Sequence, residues 1–195
     1  MSLEIVKYPH PVLSHVARPL RRVDDELRSI VREMFDLMYA TRGIGLAAVQ
    51  VGLPYRLIVI NPSGNAEEKD QERALINPVL SRPKGNEEMD EGCLSLPDIW
   101  APVRRAKEIT LSAWTPDGEE VSLRAKGMLA RVLQHECDHL DGMLFVDRVA
   151  AAARMEIEDA LEEMAIEYRQ NVKMGRYPDD ETVAARISEL EALRC

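Results

Sequence analysis

The first clear pattern of apolar and polar positions along the chain has helical spacing. Its apolar members are Leu27, Ile30, Val31, Met34, Leu37 and Met38. Apolar residues three and four apart lie on one face of a helix. Asp24 or Asp25 can cap this helix, which should run to about Ala40. Gly43 and Gly45 then break the helical pattern.

Short apolar runs elsewhere predict strands. They occupy residues 3–6, 55–60, 74–80, 109–113 and 121–124. The turn Pro116-Asp117-Gly118 separates the last two runs, so these two strands should form a hairpin. Residues 61–73 are polar and are predicted to be a loop.

Helical patterns return in the last third of the chain. One helix is predicted at residues 126–140, with Gly142 just beyond its end. Residues 151–172 are rich in helix formers, and a second short helix should follow at 182–193. Five residues of the first of these tail helices should share an apolar stripe: Met155, Leu161, Met164, Ile166 and Tyr168. We therefore predict one domain of residues 1–150 followed by a helical C-terminal extension of residues 151–195.

Composition narrows the class of protein. A chain of 195 residues with 46% hydrophobic and 30% charged residues suits one globular domain with a sizeable core. The net charge of −9 argues against a direct nucleic-acid surface. No apolar run approaches the roughly 18 residues that a membrane span needs, and the first residues do not resemble a secretory signal. Three cysteines form no disulfide framework, so we expect a reducing, cytoplasmic location.

The segment His135-Glu136-Cys137-Asp138-His139 carries the strongest chemical signal. Histidines four apart share one helix face and can bind one metal ion, and the intervening glutamate can act as general base for a water on that metal. Cys93 is the best candidate for a third ligand. The set predicts a metal-dependent hydrolase with a Cys/His/His site and one open coordination position. The alternative is a solvated helix with incidental histidines and a cysteine that is only a small buried hydrophobe.

The angular positions on this helix indicate what surrounds the metal. Met128, Arg131 and Val132 project onto the same half of the helix as His135, so they should border the cleft. Cys137 points to the opposite side and is expected to be buried rather than to bind metal.

Three motifs together resemble a known family. They are Gly43-Ile-Gly45-Leu-Ala-Ala-Val-Gln50, Glu91-Gly-Cys93-Leu-Ser95 and Gln134-His-Glu-Cys-Asp-His139-Leu. They resemble the three signature motifs of bacterial peptide deformylase, in the same order, and the similarity extends over about residues 3–150. The resemblance implies an α+β fold in which mixed and antiparallel strands surround a central HExxH helix.

The resemblance also implies a reaction. It is removal of the N-formyl group from the N-terminal methionine of newly synthesised proteins, with release of formate. Hydroxide on a metal held by Cys93, His135 and His139 would attack the formyl carbon, with Glu136 as general base. The oxyanion would be stabilised by the Gln50 side-chain amide and the Leu94 backbone N–H.

Substrate contacts follow from the same resemblance. The backbone of Ile44 and Gly45 would pair with the extended peptide, and Gly43 and Gly45 would let it approach closely. The alternative is that these two glycines only form a turn after the helix that ends at Ala40, and both roles can hold together. The methionine pocket would use Val132 and Leu94, and Met128 is a further candidate.

Other residues around this cleft have expected roles as well. Arg131 would lie at the mouth of the methionine pocket or on its wall. Trp100 would either contact substrate at the cleft rim or pack at a domain edge. Glu91 would pair with Arg105 and orient the Cys93 loop, and Asp138 would hold the helix by hydrogen bonds.

The metal ion and the partners are inferred mainly from the resemblance. One divalent ion per chain is expected, Fe(II) by resemblance, although the ligands also accept Zn, Ni or Co. The expected partners are N-formylmethionyl nascent peptides and the ribosome near its exit tunnel. Residues 154–195 contain eleven acidic and six basic residues, so direct rRNA contact is disfavoured. This tail could contact a ribosomal protein, pack on the preceding domain or form a dimer, and its acidic stretch at 156–167 is most simply a solvated face.

Two alternative functions remain at this point. A general HExxH peptidase would leave the cysteine and the glycine-rich motif unexplained. A catalytically inactive relative that acts as a ribosome-associated binding module would normally have lost a ligand, Glu136 or Gln50, and all of these are present.

Overall fold

The computed structural model describes residues 3–195, which contain seven β-strands and four α-helices. The strands are β1 (Gly45–Ala47), β2 (Leu57–Ile60), β3 (Arg73–Lys84), β4 (Glu87–Cys93), β5 (Leu96–Arg105), β6 (Glu108–Trp114) and β7 (Glu120–Lys126). The helices are α1 (Asp25–Ala40), α2 (Gly127–Leu140), α3 (Ala151–Lys173) and α4 (Asp180–Arg194). None of the helices in this part of the chain combines the length and the apolar composition that a membrane span requires.

The strands form two antiparallel sheets around α2. The larger sheet has the order β1-β2-β3-β6-β7, and β4 pairs with β5 in a separate ribbon. Helix α2 packs on β1 and β2 and also contacts β3, β6 and β7. This is the α+β arrangement with a central HExxH helix that the resemblance implied. Its strand pairs are antiparallel, and within residues 3–195 parallel pairing is found only at the isolated bridge between Arg18 and Tyr55.

Most predicted elements are confirmed with small shifts of their ends. Asp24 is the N-cap of α1, and its side chain accepts a hydrogen bond from the Leu27 N–H at 2.8 Å. The residues with helical spacing in α1 pack into a core that includes β1 and β2. The hairpin predicted from Pro116-Asp117-Gly118 joins β6 and β7.

The N-terminal strand prediction is wrong. Residues 3–6 form no strand and belong to an irregular arm, although the Val6 N–H donates to the Gln50 carbonyl at 2.9 Å. This arm lies beside the short 3-10 helix Ala48–Val51, which contains Gln50, so the Val6 bond is made to a helical turn and not to a strand. A segment of four residues, of which Glu4 is charged, is too short to specify strand pairing by itself.

The β4–β5 ribbon is absent from the elements predicted by the hydrophobic pattern. Its strands are rich in acidic residues and contain Pro97 and Pro102, features that normally argue against strands. The ribbon forms because β5 buries Leu96 and then, from Ile99 onwards, alternate side chains: Ile99, Ala101, Val103 and Arg105. Leu96, Ile99, Ala101 and Val103 join a core cluster with Phe145 and Leu161 of the chain that follows α2.

The C-terminal extension packs on the preceding residues, one of the three arrangements left open above. Helix α3 lies against β5 and buries Leu161 and Tyr168. The predicted stripe is only partly correct, because Met155 is 79% and Ile166 is 41% exposed. The acidic residues of 156–167 are exposed, as expected of a solvated face.

Candidate active site

One cluster of metal-binding side chains lies at the junction of α2 and the β4–β5 turn. The ligand atoms of Cys93, His135 and His139 lie within 4.8 Å of one another, and Cys93 Sγ is 3.3 Å from His139 Nε2. Sulfur and nitrogen ligands at tetrahedral positions around one ion, with metal distances of about 2.3 and 2.0 Å, would be about 3.5 Å apart. The side chains as they stand therefore suit a single divalent ion.

Cys137 lies outside this cluster, as its helical angle predicted. It is 6% exposed, and burial raises the pKa of its thiol to about 12. It therefore remains a neutral thiol that fills space behind the helix.

Glu91 orients the first histidine of the motif. His135 Nδ1 lies 2.9 Å from Glu91 Oε2, which leaves His135 Nε2 for a metal. The same carboxylate accepts two hydrogen bonds from Arg105, from Nε and Nη2, each at 2.8 Å. The expected pairing of Glu91 with Arg105 is therefore present. Although burial acts to raise the pKa of Glu91, the bonds from Arg105 and His135 hold it well below the usual range.

Arg105 also bonds to the metal helix, which is α2, the helix that carries His135 and His139. Its Nη1 donates to Asp138 at 2.6 Å, and Arg148 donates to the same carboxylate. Asp138 thus has the helix-holding role that the sequence suggested. Arg105 is 4% exposed, so this is a buried ionic link between the β4–β5 ribbon and α2.

The two histidines have opposite pKa shifts. Burial acts to lower the pKa of His135, but hydrogen bonds with Cys93 and Glu91 raise it to about 10. Burial and the nearby His135 charge lower the pKa of His139, so its imidazole is neutral with a free lone pair. A metal ion would compete with the proton on His135 for binding, so metal affinity should fall at lower pH.

Glu136 lies on the cleft side of α2 and is nearly inaccessible to solvent. It is 3% exposed, its Oε2 has no hydrogen-bond partner, and burial raises its pKa to about 7. A Cβ on Gly45 would come 2.3 Å from Glu136 Oε1, and a Cβ on Gly43 would come 2.9 Å from Leu94 Cδ1. The backbone of Gly45 and Gly43 passes directly against Glu136 and Leu94. A side chain at either position would therefore clash with these residues.

Gln50 is held with its amide nitrogen towards Cys93. Its Oε1 accepts the Ala47 N–H at 2.8 Å, which orients the amide. Its Nε2 then lies 3.3 Å from Cys93 Sγ and 3.4 Å from Ser95 Oγ. Gln50 is 2% exposed, so its amide donor is held away from bulk water and beside the candidate ligand Cys93.

A cleft of about 790 Å³ opens beside these groups. All predicted substrate-binding positions line it: Gly43, Ile44, Gly45, Leu94, Trp100, Arg131 and Val132. Lys7, Met89, Asp98 and Ile99 also line it, and no pattern in the sequence singled them out.

The geometry refines the position of Arg131. Its guanidinium donates to Glu91 at 2.6 Å and to the Val103 and Glu87 carbonyls at 3.1 and 2.9 Å. Arg131 therefore lies on the cleft wall with its donors directed towards protein groups. Substrate contact through its aliphatic stem stays a prediction.

Trp100 lies at the rim of the cleft. It is 66% exposed, and its ring lies so close to Gly92 that a Cβ there would come 2.9 Å from the ring. An exposed indole at a cleft rim can contact a bound peptide.

The strand β1 is at the edge of its sheet and faces the cleft. The Ile44 carbonyl accepts the Asn61 N–H at 2.9 Å, and Gly45 pairs in register with Ile60. Because hydrogen-bonding direction alternates along an antiparallel strand, the Gly45 N–H and C=O point away from β2. An added peptide strand would therefore meet Gly45, whereas the carbonyl of Ile44 is already engaged.

Comparison with known proteins agrees with this site. The sequence model of the family described as polypeptide deformylase matches residues 2–155. A peptide deformylase from Rhodopirellula baltica is 43% identical over 193 residues, which cover 99% of this chain and 96% of that protein. The chain belongs to the peptide deformylase family. It is therefore an enzyme of the deformylase class, and the inactive alternative is not favoured.

Further deformylases extend the comparison. One from Acidobacterium capsulatum is 47% identical over 154 residues, covering 79% of this chain and 90% of that protein. The crystal structure of Arabidopsis thaliana peptide deformylase 1B with an inhibitor has a TM-score of 0.82 and 40% identity, covering 89% of this chain and 94% of that chain. The Plasmodium falciparum peptide deformylase has a TM-score of 0.83 and 36% identity, covering 86% of this chain and 98% of that chain. These similarities confirm the α+β deformylase fold.

Proposed function

We propose that this enzyme removes the formyl group from N-formylmethionyl peptides by metal-dependent hydrolysis. The observation that supports it best is the convergence of the Cys93, His135 and His139 ligand atoms with Glu136 and Gln50 at one end of a peptide-sized cleft. A divalent ion in this site would act as a Lewis acid and lower the pKa of a water molecule.

Glu136 would be the proton-transfer group. Its burial raises its pKa to about 7, so near neutral pH it can take a proton from the attacking water and return it to the departing amine. Gly45 leaves room for this carboxylate, which therefore lies against the strand edge that would carry the substrate.

Gln50 and Leu94 would stabilise the negative charge that develops on the formyl oxygen. Gln50 Nε2 is already oriented by the bond between its Oε1 and the Ala47 N–H. The Leu94 N–H would be the second donor. Donors held in place before the reaction need no reorganisation when the charge appears.

The peptide would bind along the open edge of β1. Gly45 would supply backbone hydrogen bonds, and the methionine side chain would enter the part of the cleft lined by Leu94 and Val132. Trp100 and the stem of Arg131 would contact the substrate at the rim and wall.

We also propose where the enzyme acts and which ion it uses. The substrates would be nascent chains in the cytoplasm, where free Cys93 stays reduced. Fe(II) is proposed as the native ion, with Zn, Ni or Co as substitutes. Contact with the ribosome near the exit tunnel stays a prediction.

The decisive experiment is formate release from a formyl-Met peptide by anaerobically purified enzyme, compared with Glu136→Gln. We expect about one metal per chain in both proteins, and a fall in kcat of at least about a hundredfold in the variant because the proton acceptor is lost. Elemental analysis of the same samples identifies the ion.

Glu167→Gln, an exposed position on α3, is the matched control and should leave kcat unchanged. An absence of turnover by metal-loaded wild type would reject the proposed function. Equal rates for wild type and Glu136→Gln would reject Glu136 as the base. Cleavage of internal peptide bonds in unformylated peptides would favour a general HExxH peptidase instead.

A further inference from the structure

The N-terminal arm lies along both segments that carry the proposed oxyanion donors, the 3-10 helix Ala48–Val51 and the β4–β5 turn. The Val6 N–H donates to the Gln50 carbonyl at 2.9 Å. The Tyr8 N–H donates to the Ser95 carbonyl, also at 2.9 Å. The arm therefore connects the 3-10 helix of Gln50 with the β4–β5 turn, two segments that are 45 positions apart in the chain at their Gln50–Ser95 contact.

Lys7, between these two residues, reaches the same turn with its side chain. Its Nζ donates to the Leu94 carbonyl at 2.7 Å, and the residue lines the active-site cleft. A hydrogen bond from an ammonium group is stronger and shorter than a neutral one. The Leu94 carbonyl and the Leu94 N–H flank the same Cα, so a restraint on the carbonyl also limits movement of the N–H.

We propose that Lys7 is a positioning residue for deformylation: its ammonium holds the Leu94 backbone so that the Leu94 N–H stays directed at the formyl oxygen. This inference rests on the proposed function, in which that N–H is an oxyanion donor. Such a donor accelerates the reaction only if it is in place before the charge develops. Lys7 therefore contributes to kcat and little to binding of the unreacted peptide.

The position of Lys7 makes the idea testable without unfolding the protein. The side chain is exposed, and the arm is also held by the backbone bonds of Val6 and Tyr8. Replacing the ammonium should therefore loosen the turn locally. A methionine at this position keeps the length and the aliphatic stem of lysine and removes its charge and its donors.

The experiment compares wild type, Lys7→Met and Lys7→Arg at equal bound metal, with formate release from a formyl-Met peptide. We expect kcat of Lys7→Met to fall about tenfold through loss of a charge-assisted hydrogen bond, with KM changed by less than about twofold. Lys7→Arg, which can still donate to the Leu94 carbonyl, should recover most of the rate. Lys84→Met, the same change at an exposed position outside the cleft, is the control and should match wild type.

Amide hydrogen exchange supplies a second readout that does not depend on turnover. Lys7→Met should exchange faster than wild type in the peptide that contains residues 92–96. An unchanged kcat in Lys7→Met, or an equal fall in Lys7→Arg, would overturn the inference. A lower kcat with unchanged exchange would place Lys7 on the substrate and would also overturn it. If the wild type itself released no formate, the proposed function would fail instead, while exchange would still test the Lys7–Leu94 contact.

Discussion

At the scale of single residues, the closest fit in the site is between Gly45 and Glu136. A Cβ at position 45 would come 2.3 Å from Glu136 Oε1, well inside van der Waals contact, and the carboxylate is buried. The buried carboxylate has little freedom to move away. The identity of residue 45 therefore determines where the proposed proton acceptor lies.

Gly45→Ala should displace Glu136 and lower kcat by about a hundredfold, the effect expected when a reacting group moves by about 1 Å. Steady-state formate release measures this change. Gly118→Ala is the control, because Gly118 has a φ of +81° with open space around it. This control should lose about 1 kcal/mol of stability through backbone strain and keep its kcat. Equal kcat values for Gly45→Ala and wild type would show that Glu136 is not constrained by residue 45.

At the scale of elements, Arg105 joins the β4–β5 ribbon to α2. Glu91 and Asp138, its two partners, are 6% and 5% exposed. Removing the guanidinium leaves carboxylates buried with fewer partners, which costs far more than removing a surface ion pair. Arg105 is therefore, with Arg131 and His135, one of the side chains that hold the ribbon against α2.

Arg105→Leu should lower the free energy of unfolding by about 3 kcal/mol. It should also weaken metal binding by about tenfold or more, because Glu91 orients His135. Denaturant unfolding and metal titration with a competing chelator measure the two effects. Arg104→Leu, on the exposed opposite face of β5, should change neither. If Arg104→Leu and Arg105→Leu behaved alike, the buried link would not be what holds the ribbon.

At the scale of the whole molecule, hydrogen bonds of Arg194 join the C-terminal helix α4 to the start of α1. Arg194 of α4 is 4% exposed, and its guanidinium donates to the Tyr55 hydroxyl at 3.2 Å, to Asp24 at 3.3 Å and to Glu26. The Tyr55 hydroxyl also donates to the Leu190 carbonyl at 3.1 Å. The tail therefore closes over the start of α1.

Arg194→Leu should lower the free energy of unfolding by about 2 kcal/mol at pH 7, since its partners are only partly buried. A hydrogen bond from the Leu27 N–H, together with Arg194, lowers the pKa of Asp24. Its stabilising contribution is therefore present above the unfolded pKa of about 4 and is lost as pH falls through the lower folded value. The penalty of Arg194→Leu should accordingly shrink in acid.

Urea unfolding of the wild type and the variant at pH 7 and at low pH, with the same metal content, tests this. Arg186→Leu is the control on the same helix, because its partner Glu189 is 70% exposed. It should cost less than about 0.5 kcal/mol at either pH. A penalty for Arg194→Leu that stayed constant with pH would exclude Asp24 as the partner that matters.

The sequence by itself determined α1, α2, most strands of the large sheet and the two candidate histidine ligands. Helical spacing and the Asp24 cap are local, and the HExxH motif places His135 and His139 on one face whatever surrounds them. The family motifs added Cys93, Gln50 and the Glu91–Arg105 pair.

Only the tertiary structure decided the remaining features, because they depend on contacts between distant segments. The β4–β5 ribbon pairs strands whose composition argues against strand formation, and it is stabilised by packing under α3. Lys7 reaches Leu94 across 87 positions and Arg194 reaches Asp24 across 170, and neither contact has a local signature. Periodicity reports which face of an element is buried, whereas the partner that buries it is set by long-range packing.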